Sequence, residues 1–234
     1  FALVGGGEFT QPSFAEDVNN LGGISGIAGF NTRLVIDASQ GRPENIAGTS
    51  TITLTPQATA YNNMGVPGAK SFHLTFPGYG ALNPYFARHA TSPTATVLGD
   101  AMSKNPTFFT NWIGANDVLA YATNGGAQSD GVTPAVDHNL TGNLNPATYG
   151  MNDITNSNVF ASVYSTIVTT LTSGGAKGVV ATVPSVTSIP YFTTVPYKPV
   201  PLDNTFATQL NSEYAAYNGG LDVAFSNGLI TNAE

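Results

Sequence analysis

The hydrophobic positions of this chain form short runs of strand type and longer repeats of helix type. Residues 106–114 (PTFFTNWIG) and residues 176–185 (AKGVVATVPS) are rich in aromatic or β-branched residues, which predicts two strands. The second run is almost continuously apolar, as is typical of a strand that is covered on both faces. Between them, large apolar residues recur at the spacing of one helical face: Phe160, Val163, Ile167 and Leu171. The order is therefore strand, helix, strand.

Capping residues bound the predicted helix. Asn156 or Ser157 can accept hydrogen bonds from its first turn, and Gly174-Gly175 can end it. Further helices are predicted over 83–90, 95–105 and 204–220.

Two segments near the beginning predict a β excursion over residues 33–56. RLVIDA (33–38) is a short strand candidate, and TSTITLTP (49–56) alternates polar and apolar positions. SQGRPENIAG would be the loop that joins them. A second long loop is predicted over 122–156, where the pattern has little periodicity.

Alternating strands and helices predict an α/β fold with a parallel sheet, in which ligands bind at the carboxyl ends of strands. Residues 63–70 (NMGVPGAK) would be another short strand that ends in a Pro-Gly turn. Gly68 and Asn116 would then both lie at this end of the sheet, close to the long loop.

Length and charge narrow the function classes. The 234 residues, 41% of them hydrophobic, predict one large globular domain or two small ones, and of these we expect a single domain over 1–234. The net charge is −7 and the seven Lys and Arg are scattered, which argues against nucleic-acid binding. No apolar run is long enough to cross a bilayer. The absence of cysteine excludes disulfides and thiolate chemistry, and only 9% of residues are charged, as is common in exported proteins.

The segments VPGA and GAND offer hydrogen-bond donors at two strand ends. Gly68 leaves a bare backbone N–H that a ligand can approach closely, and Asn116 offers a carboxamide. Two donors aimed at one point form an oxyanion hole. Each motif alone is more simply a turn, so the argument depends on the pair.

Together these motifs resemble the SGNH (GDSL-type) hydrolase family, and specifically its exported, lipoprotein-like bacterial members. NMGVPGA is similar to the glycine block of that family and GAND to its Gly-x-Asn-Asp block. The resemblance implies a three-layer α/β/α sandwich in which Gly68 and Asn116 are the catalytic oxyanion donors. It implies no metal and no organic cofactor.

The chain departs from the family pattern at its other two blocks. The string nearest to the nucleophile block Gly-Asp-Ser is LGDAMS, in which Ala101 stands in the serine position. None of the three histidines has an Asp three residues before it, as the family's Asp-x-x-His block requires. The chain also begins at Phe1 and ends in a helix-like segment. We therefore expect a fold that is incomplete at both ends, with the missing segments as partners.

The resemblance implies a serine esterase or lipase acting on a lipid or an acetylated glycan, in which this chain supplies the oxyanion hole. The alternatives are a noncatalytic binding subunit of the cell envelope and a plain α/β domain without an active site. His73 and Asp117 are candidate substrate-binding residues, although a structural histidine and a turn aspartate are the simpler interpretations. Phe108, Phe109 and Trp112 are predicted to be core, and a metal site among Asp130, Asp137 and His138 is disfavoured against a surface loop.

Overall fold

The computed structural model describes residues 8–12, 21–24, 27, 30–50, 54, 56–194 and 202–230. The chain is mixed α/β and divides into two compact units, Phe1–Val186 and Thr187–Glu234. The single domain expected over 1–234 stays a prediction.

Twelve strands and α-helices are present in the described residues. The strands are β1 (Leu34–Asp37), β2 (Arg42–Asn45), β3 (Phe108–Asn111) and β4 (Lys177–Val180). The α-helices are α1 (Pro84–Ala87), α2 (Val97–Ser103), α3 (Asn116–Thr123), α4 (His138–Thr141), α5 (Ser157–Thr172), α6 (Pro190–Thr193), α7 (Asn204–Glu213) and α8 (Ala215–Ser226). Single turns of 3₁₀ helix occur at Ser71–Thr75, Tyr79–Ala81, Pro146–Thr148 and Val186–Ser188.

The β excursion is a tight hairpin. β1 pairs antiparallel with β2, from Leu34 opposite Asn45 to Asp37 opposite Arg42. The predicted strand over 33–38 is confirmed, but its partner lies in the segment predicted as the connecting loop, so that part of the prediction is wrong. β2 has the sequence RPEN, which carries no alternation of apolar and polar side chains. Most of the other predicted strand, residues 51–53 and 55, lies outside the described residues.

β3 and β4 pair in parallel, from Phe108 opposite Lys177 to Asn111 opposite Val180. Helix α5 lies between them in sequence, and Asn156 caps it by accepting a hydrogen bond from the backbone N–H of Asn158 at 2.9 Å. Both strands and this helix are where the sequence predicts them.

One face of β3 is packed. Ile167 and Leu171 of α5 and Leu98 of α2 form a buried cluster, against which Phe109 and Ile113 pack. Because side chains alternate along an extended chain, Phe109 and Ile113, two residues beyond the end of β3, project to the same side. The helices therefore cover that face of β3 and place the residues after it beside the core.

The opposite face is uncovered among the described residues of this unit. Phe108, Trp112 and Val179 are 57%, 71% and 56% exposed. The predictions that Phe108 and Trp112 are core and that β4 is covered on both faces are therefore wrong for this structure. The physical reason is that the unit supplies one helical layer, whereas the apolar pattern of these strands suits two.

A second core lies under the Pro-Gly corner. It consists of Ala69, Tyr79, Phe86, Ala90 and Val97. Asn83 caps α1 through the backbone N–H of Tyr85 and also donates to the carbonyl oxygen of Pro67, each at 2.9 Å. This bond anchors the corner to a helix. The strand predicted before the corner is wrong, since residues 63–66 form none.

The second unit is helical in its described part. Asp203 caps α7 by accepting hydrogen bonds from the backbone N–H groups of Thr205 and Phe206, both at 2.9 Å. Helix α8 runs through Gly219 and Gly220 to Ser226. The end predicted at residue 220 for the helix over 204–220 is therefore wrong.

Candidate functional site

The glycine corner is a tight turn. The backbone N–H of Ala69 donates to the carbonyl oxygen of Val66 at 3.2 Å. Pro67 precedes Gly68, whose φ of +76° is the left-handed conformation that the third position of a type II turn requires. A Cβ atom at Gly68 would meet no atom within 4 Å, so the space beside this glycine is open. The corner therefore exposes its backbone to an approaching group.

The second motif turns the chain from β3 into α3. Gly114 has a φ of +127°, and a Cβ atom there would lie 2.7 Å from Val183 Cγ2. Only glycine fits at this position. The helix then begins at Asn116, so the predicted strand end is followed at once by a helix that the sequence analysis did not predict.

Asn116 contacts the glycine corner directly. Its Nδ2 donates to the carbonyl oxygen of Ala69, the residue after Gly68, at 3.0 Å. The side chain is half-buried. A carboxamide has two N–H donors, and this bond uses one of them. The structure thus brings Gly68 and Asn116, 48 positions apart in sequence, to one place.

Asp117 and Ser71 join the same two segments a second time. The backbone N–H of Ser71 donates to Asp117 Oδ2 and the Ser71 hydroxyl donates to Oδ1, both at 2.8 Å. Ser71 is 0% and Asp117 4% exposed. Because Ser71 engages both carboxylate oxygens, Asp117 joins the two motifs, and its role in substrate binding stays a prediction.

His73 lies on the aromatic side of the corner. Its ring stacks on Tyr79 with centroids 4.4 Å apart, and its Nδ1 accepts the backbone N–H of Lys70 at 3.1 Å. Burial, followed by the positive charge of Lys70, lowers the pKa of His73 to about 4. The ring is therefore neutral at pH 7 and carries its proton on Nε2. Its role in substrate binding stays a prediction.

Lys70 fastens the long loop to this pair of motifs. The side chain is 4% exposed, and its Nζ donates to the backbone oxygen of Asp153 at 2.7 Å. Nearby, the backbone N–H of Thr155 donates to the backbone oxygen of Asp117 at 3.0 Å. Burial lowers the pKa of Lys70, while the charges of Asp117 and Asp153 oppose that shift. Residues 153–155 therefore adjoin both motifs.

Sequence reasoning missed Ser71, Lys70 and Asp153. The available signal was weak: a charged and a hydroxyl residue directly after VPGA, in a stretch that is otherwise apolar.

Acidification from pH 7 to pH 5 is expected to lower the free energy of unfolding. Burial also lowers the pKa of His89 to about 4, against the ordinary value of 6.5 that applies in the unfolded chain. Between pH 6.5 and 4 the unfolded state therefore binds protons that the folded state does not. The free energy of unfolding consequently decreases as the pH is lowered through this window. His73 adds to the effect. Urea unfolding at pH 7, 6 and 5 measures it.

His89→Leu is the matched variant for this test. His89 is 1% exposed and its Nδ1 has no hydrogen-bond partner in the described part of the chain, so an apolar residue is tolerated there. We expect a shallower pH dependence in this variant. An unchanged slope would show that His89 is not responsible for the loss.

Within the described ranges, no three His, Asp or Glu side chains are grouped as a metal site would need. Asp130 instead accepts hydrogen bonds from Val132 and Thr133 within its own turn. No helix in those ranges is long and apolar enough to cross a membrane.

No protein-family model, no curated protein and no solved structure matches this chain.

Proposed function

We propose that this chain is the oxyanion-hole part of a serine hydrolase of carboxylic esters, with a lipid or an acetylated glycan as substrate. The observation that carries the proposal is the 3.0 Å hydrogen bond from Asn116 Nδ2 to the backbone oxygen of Ala69. It holds the carboxamide one residue from the N–H of Gly68 and leaves its second N–H for a ligand. Two neutral, preorganised donors at one point are what a tetrahedral oxyanion needs.

The chemistry divides between this chain and segments that flank it. A serine outside residues 1–234 attacks the ester carbonyl, and a histidine outside them takes the proton of that serine. The carbonyl oxygen then gains negative charge. In the proposal the N–H of Gly68 and the free N–H of Asn116 stabilise that charge. The reaction needs no metal or organic cofactor.

The uncovered face of the sheet supports the same proposal. In a three-layer α/β/α sandwich, further strands continue the β3–β4 pair and a second helical layer covers Phe108, Trp112 and Val179. The large exposed fractions of these side chains are consistent with such a layer. The flanking segments, or another subunit, would provide it. The resemblance to exported family members extends the proposal to a periplasmic, outer-membrane-associated or extracellular location.

A noncatalytic binding subunit of the cell envelope is the second candidate. The observation that favours it is the absence of Gly-Asp-Ser and Asp-x-x-His from the chain. Asn116 would then serve only to hold the glycine corner in place.

The upstream coding sequence and an active-site probe distinguish the two candidates. We expect Gly-Asp-Ser or Gly-Asn-Ser before Phe1, and we expect a fluorophosphonate to label that serine in the full-length protein. A full-length protein that has neither the motif nor a labelled serine would be a binding subunit.

Gly68→Ala is expected to lose esterase activity together with a little stability. The left-handed φ of +76° at this position costs a residue with a Cβ atom about 1–2 kcal/mol. Relief of that strain rotates the peptide planes of the corner and turns the oxyanion donor away. Gly125→Ala is the matched control because Gly125 has a φ of +62° and equal open space around its Cα. Chemical unfolding and ester hydrolysis are measured for both variants.

Equal losses of stability with a loss of activity only in Gly68→Ala are the expected pattern. Full activity in Gly68→Ala would remove this glycine from the mechanism.

A further inference from the structure

The long loop contains a buried aspartate–histidine pair that uses neither Gly68 nor Asn116. His138 Nε2 lies 2.8 Å from Asp153 Oδ2, and the two side chains are 6% and 4% exposed. The other ring nitrogen, Nδ1, lies 3.2 Å from the hydroxyl of Thr141, one helical turn further along α4. Thr141 itself is exposed. A carboxylate, an imidazole and a hydroxyl are therefore connected in series.

Asp153 is held as an ionised acceptor. Besides the imidazole, it accepts hydrogen bonds from Gln128 Nε2 at 2.6 Å and from the backbone N–H groups of Val136 and Gly150 at 2.8 and 2.6 Å. Burial raises its pKa, but these bonds outweigh that effect and keep the pKa below its usual range. A carboxylate surrounded by donors orients the imidazole next to it.

The charge on Asp153 sets the tautomer of His138. Because an ionised carboxylate can only accept, the neutral ring of His138 carries its proton on Nε2 and presents a lone pair on Nδ1. In that form of the ring the Thr141 hydroxyl donates to Nδ1, which is the arrangement of a nucleophile beside its general base. Compared with the usual serine triad, the two ring nitrogens exchange roles, and either nitrogen can act as the base.

The ring of His138 is also fixed in position. Tyr149 stacks on it with centroids 3.8 Å apart and planes 14° from parallel. Asn156 Nδ2 donates to the backbone oxygen of His138 at 2.8 Å. These contacts fix the orientation of the imidazole, so that its Nδ1 stays directed at the Thr141 hydroxyl.

We propose that Asp153, His138 and Thr141 form a second reactive site, at which Thr141 accepts acyl or phosphonyl groups from activated esters. Thr141 Oγ1 forms a bond to the carbonyl carbon, and its proton passes to His138 Nδ1. The ester C–O bond breaks, and the leaving alkoxide takes the proton from His138 as it departs as alcohol. With a fluorophosphonate, the Oγ1–P bond forms, the P–F bond breaks, and fluoride leaves with the proton released to solvent. This site does not depend on Gly68 or Asn116.

Fluorophosphonate labelling of the full-length protein, followed by peptide mass spectrometry, tests the site. We expect an adduct on Thr141 that forms about 100-fold faster than any adduct on Thr148, since general-base assistance gives a factor of that order. Thr148 is the matched comparison because it is also exposed, lies in the same loop, and bonds to Asn145 and Asn143 rather than to an imidazole. This comparison within the wild-type protein requires no folded variant.

Two variants complete the test. Asp153→Asn can reverse the tautomer of His138, so labelling of Thr141 should fall to the rate of Thr148, whereas Thr148→Val should leave it unchanged. An unlabelled Thr141, or an adduct that forms equally fast in Asp153→Asn, would overturn the inference. A labelled serine outside residues 1–234 reports separately on the proposed esterase site, because it appears on a different peptide.

Discussion

Asp117→Ala is expected to lower the free energy of unfolding by about 2–6 kcal/mol, because it leaves two buried donors without an acceptor and each such group costs about 1–3 kcal/mol. The carboxylate accepts hydrogen bonds from both donors of Ser71, and both residues are buried. Without it, the backbone N–H and the hydroxyl of Ser71 stay buried without an acceptor. The glycine corner would also lose its brace to the start of α3. Equilibrium unfolding in urea measures the loss.

Ser71→Ala and Asp117→Asn are the controls for this prediction. Each removes or weakens about one hydrogen bond and leaves the backbone N–H of Ser71 with an acceptor, so each should cost about 1–2 kcal/mol. If Asp117→Ala cost no more than Ser71→Ala, the two segments would not be held together by this carboxylate.

Asn116→Ala is expected to lower kcat on a short-chain nitrophenyl ester by about two orders of magnitude or more in the full-length protein, the usual effect of losing one oxyanion donor. The loss in folding stability should be only about 1 kcal/mol, because the variant gives up one half-buried hydrogen bond to Ala69. A large kinetic effect with a small stability effect is what separates a donor to the transition state from a purely structural side chain.

Asn124→Ala provides the matched comparison. Asn124 follows the last residue of α3, and its Nδ2 donates to the backbone oxygen of Ala120 at 2.8 Å, so it makes the same kind of bond at the other end of the same helix. We expect a similar stability loss and unchanged turnover. If both variants kept full activity, Asn116 would have no part in catalysis, and the noncatalytic binding subunit would be the favoured function.

Helices and strands whose apolar residues follow a regular pattern could be predicted from the sequence. Helix α5 shows four apolar positions at helical spacing and an asparagine cap, and it forms over Ser157–Thr172. β3 and β4 are short apolar runs bounded by turn residues, and both form within the predicted segments. In these cases the local pattern and the tertiary packing favour the same structure.

The wrong or missing predictions concern elements whose structure depends on contacts with distant parts of the chain, which no local sequence pattern specifies. β2 is a strand because the turn at 38–41 brings RPEN beside β1, and its own composition does not favour a strand. Helix α3 begins at Asn116 without a capping side chain, so the usual start signal is missing. Phe108 and Trp112 are exposed because the described residues of their unit do not cover this face of β3, which the apolar character of a strand cannot reveal.

The geometry of the candidate site was partly predictable. The motifs VPGA and GAND each follow from turn chemistry, and the expectation that both lie at strand ends led to their pairing. The residues that connect them could not be found in this way, since Ser71 and Asp117 are 46 positions apart and Lys70 and Asp153 are 83 apart. Hydrogen bonds between polar residues so far apart produce no periodic pattern in the sequence.

The convergence of the Gly68 N–H and the Asn116 carboxamide on one oxygen atom is tested most directly by a crystal structure of the full-length protein after reaction with a fluorophosphonate. The phosphonyl oxygen stands in for the oxyanion. We predict that this oxygen lies about 3 Å from both Gly68 N and Asn116 Nδ2. An oxygen bound by other donors, with Asn116 bonded only to Ala69, would contradict the proposed function.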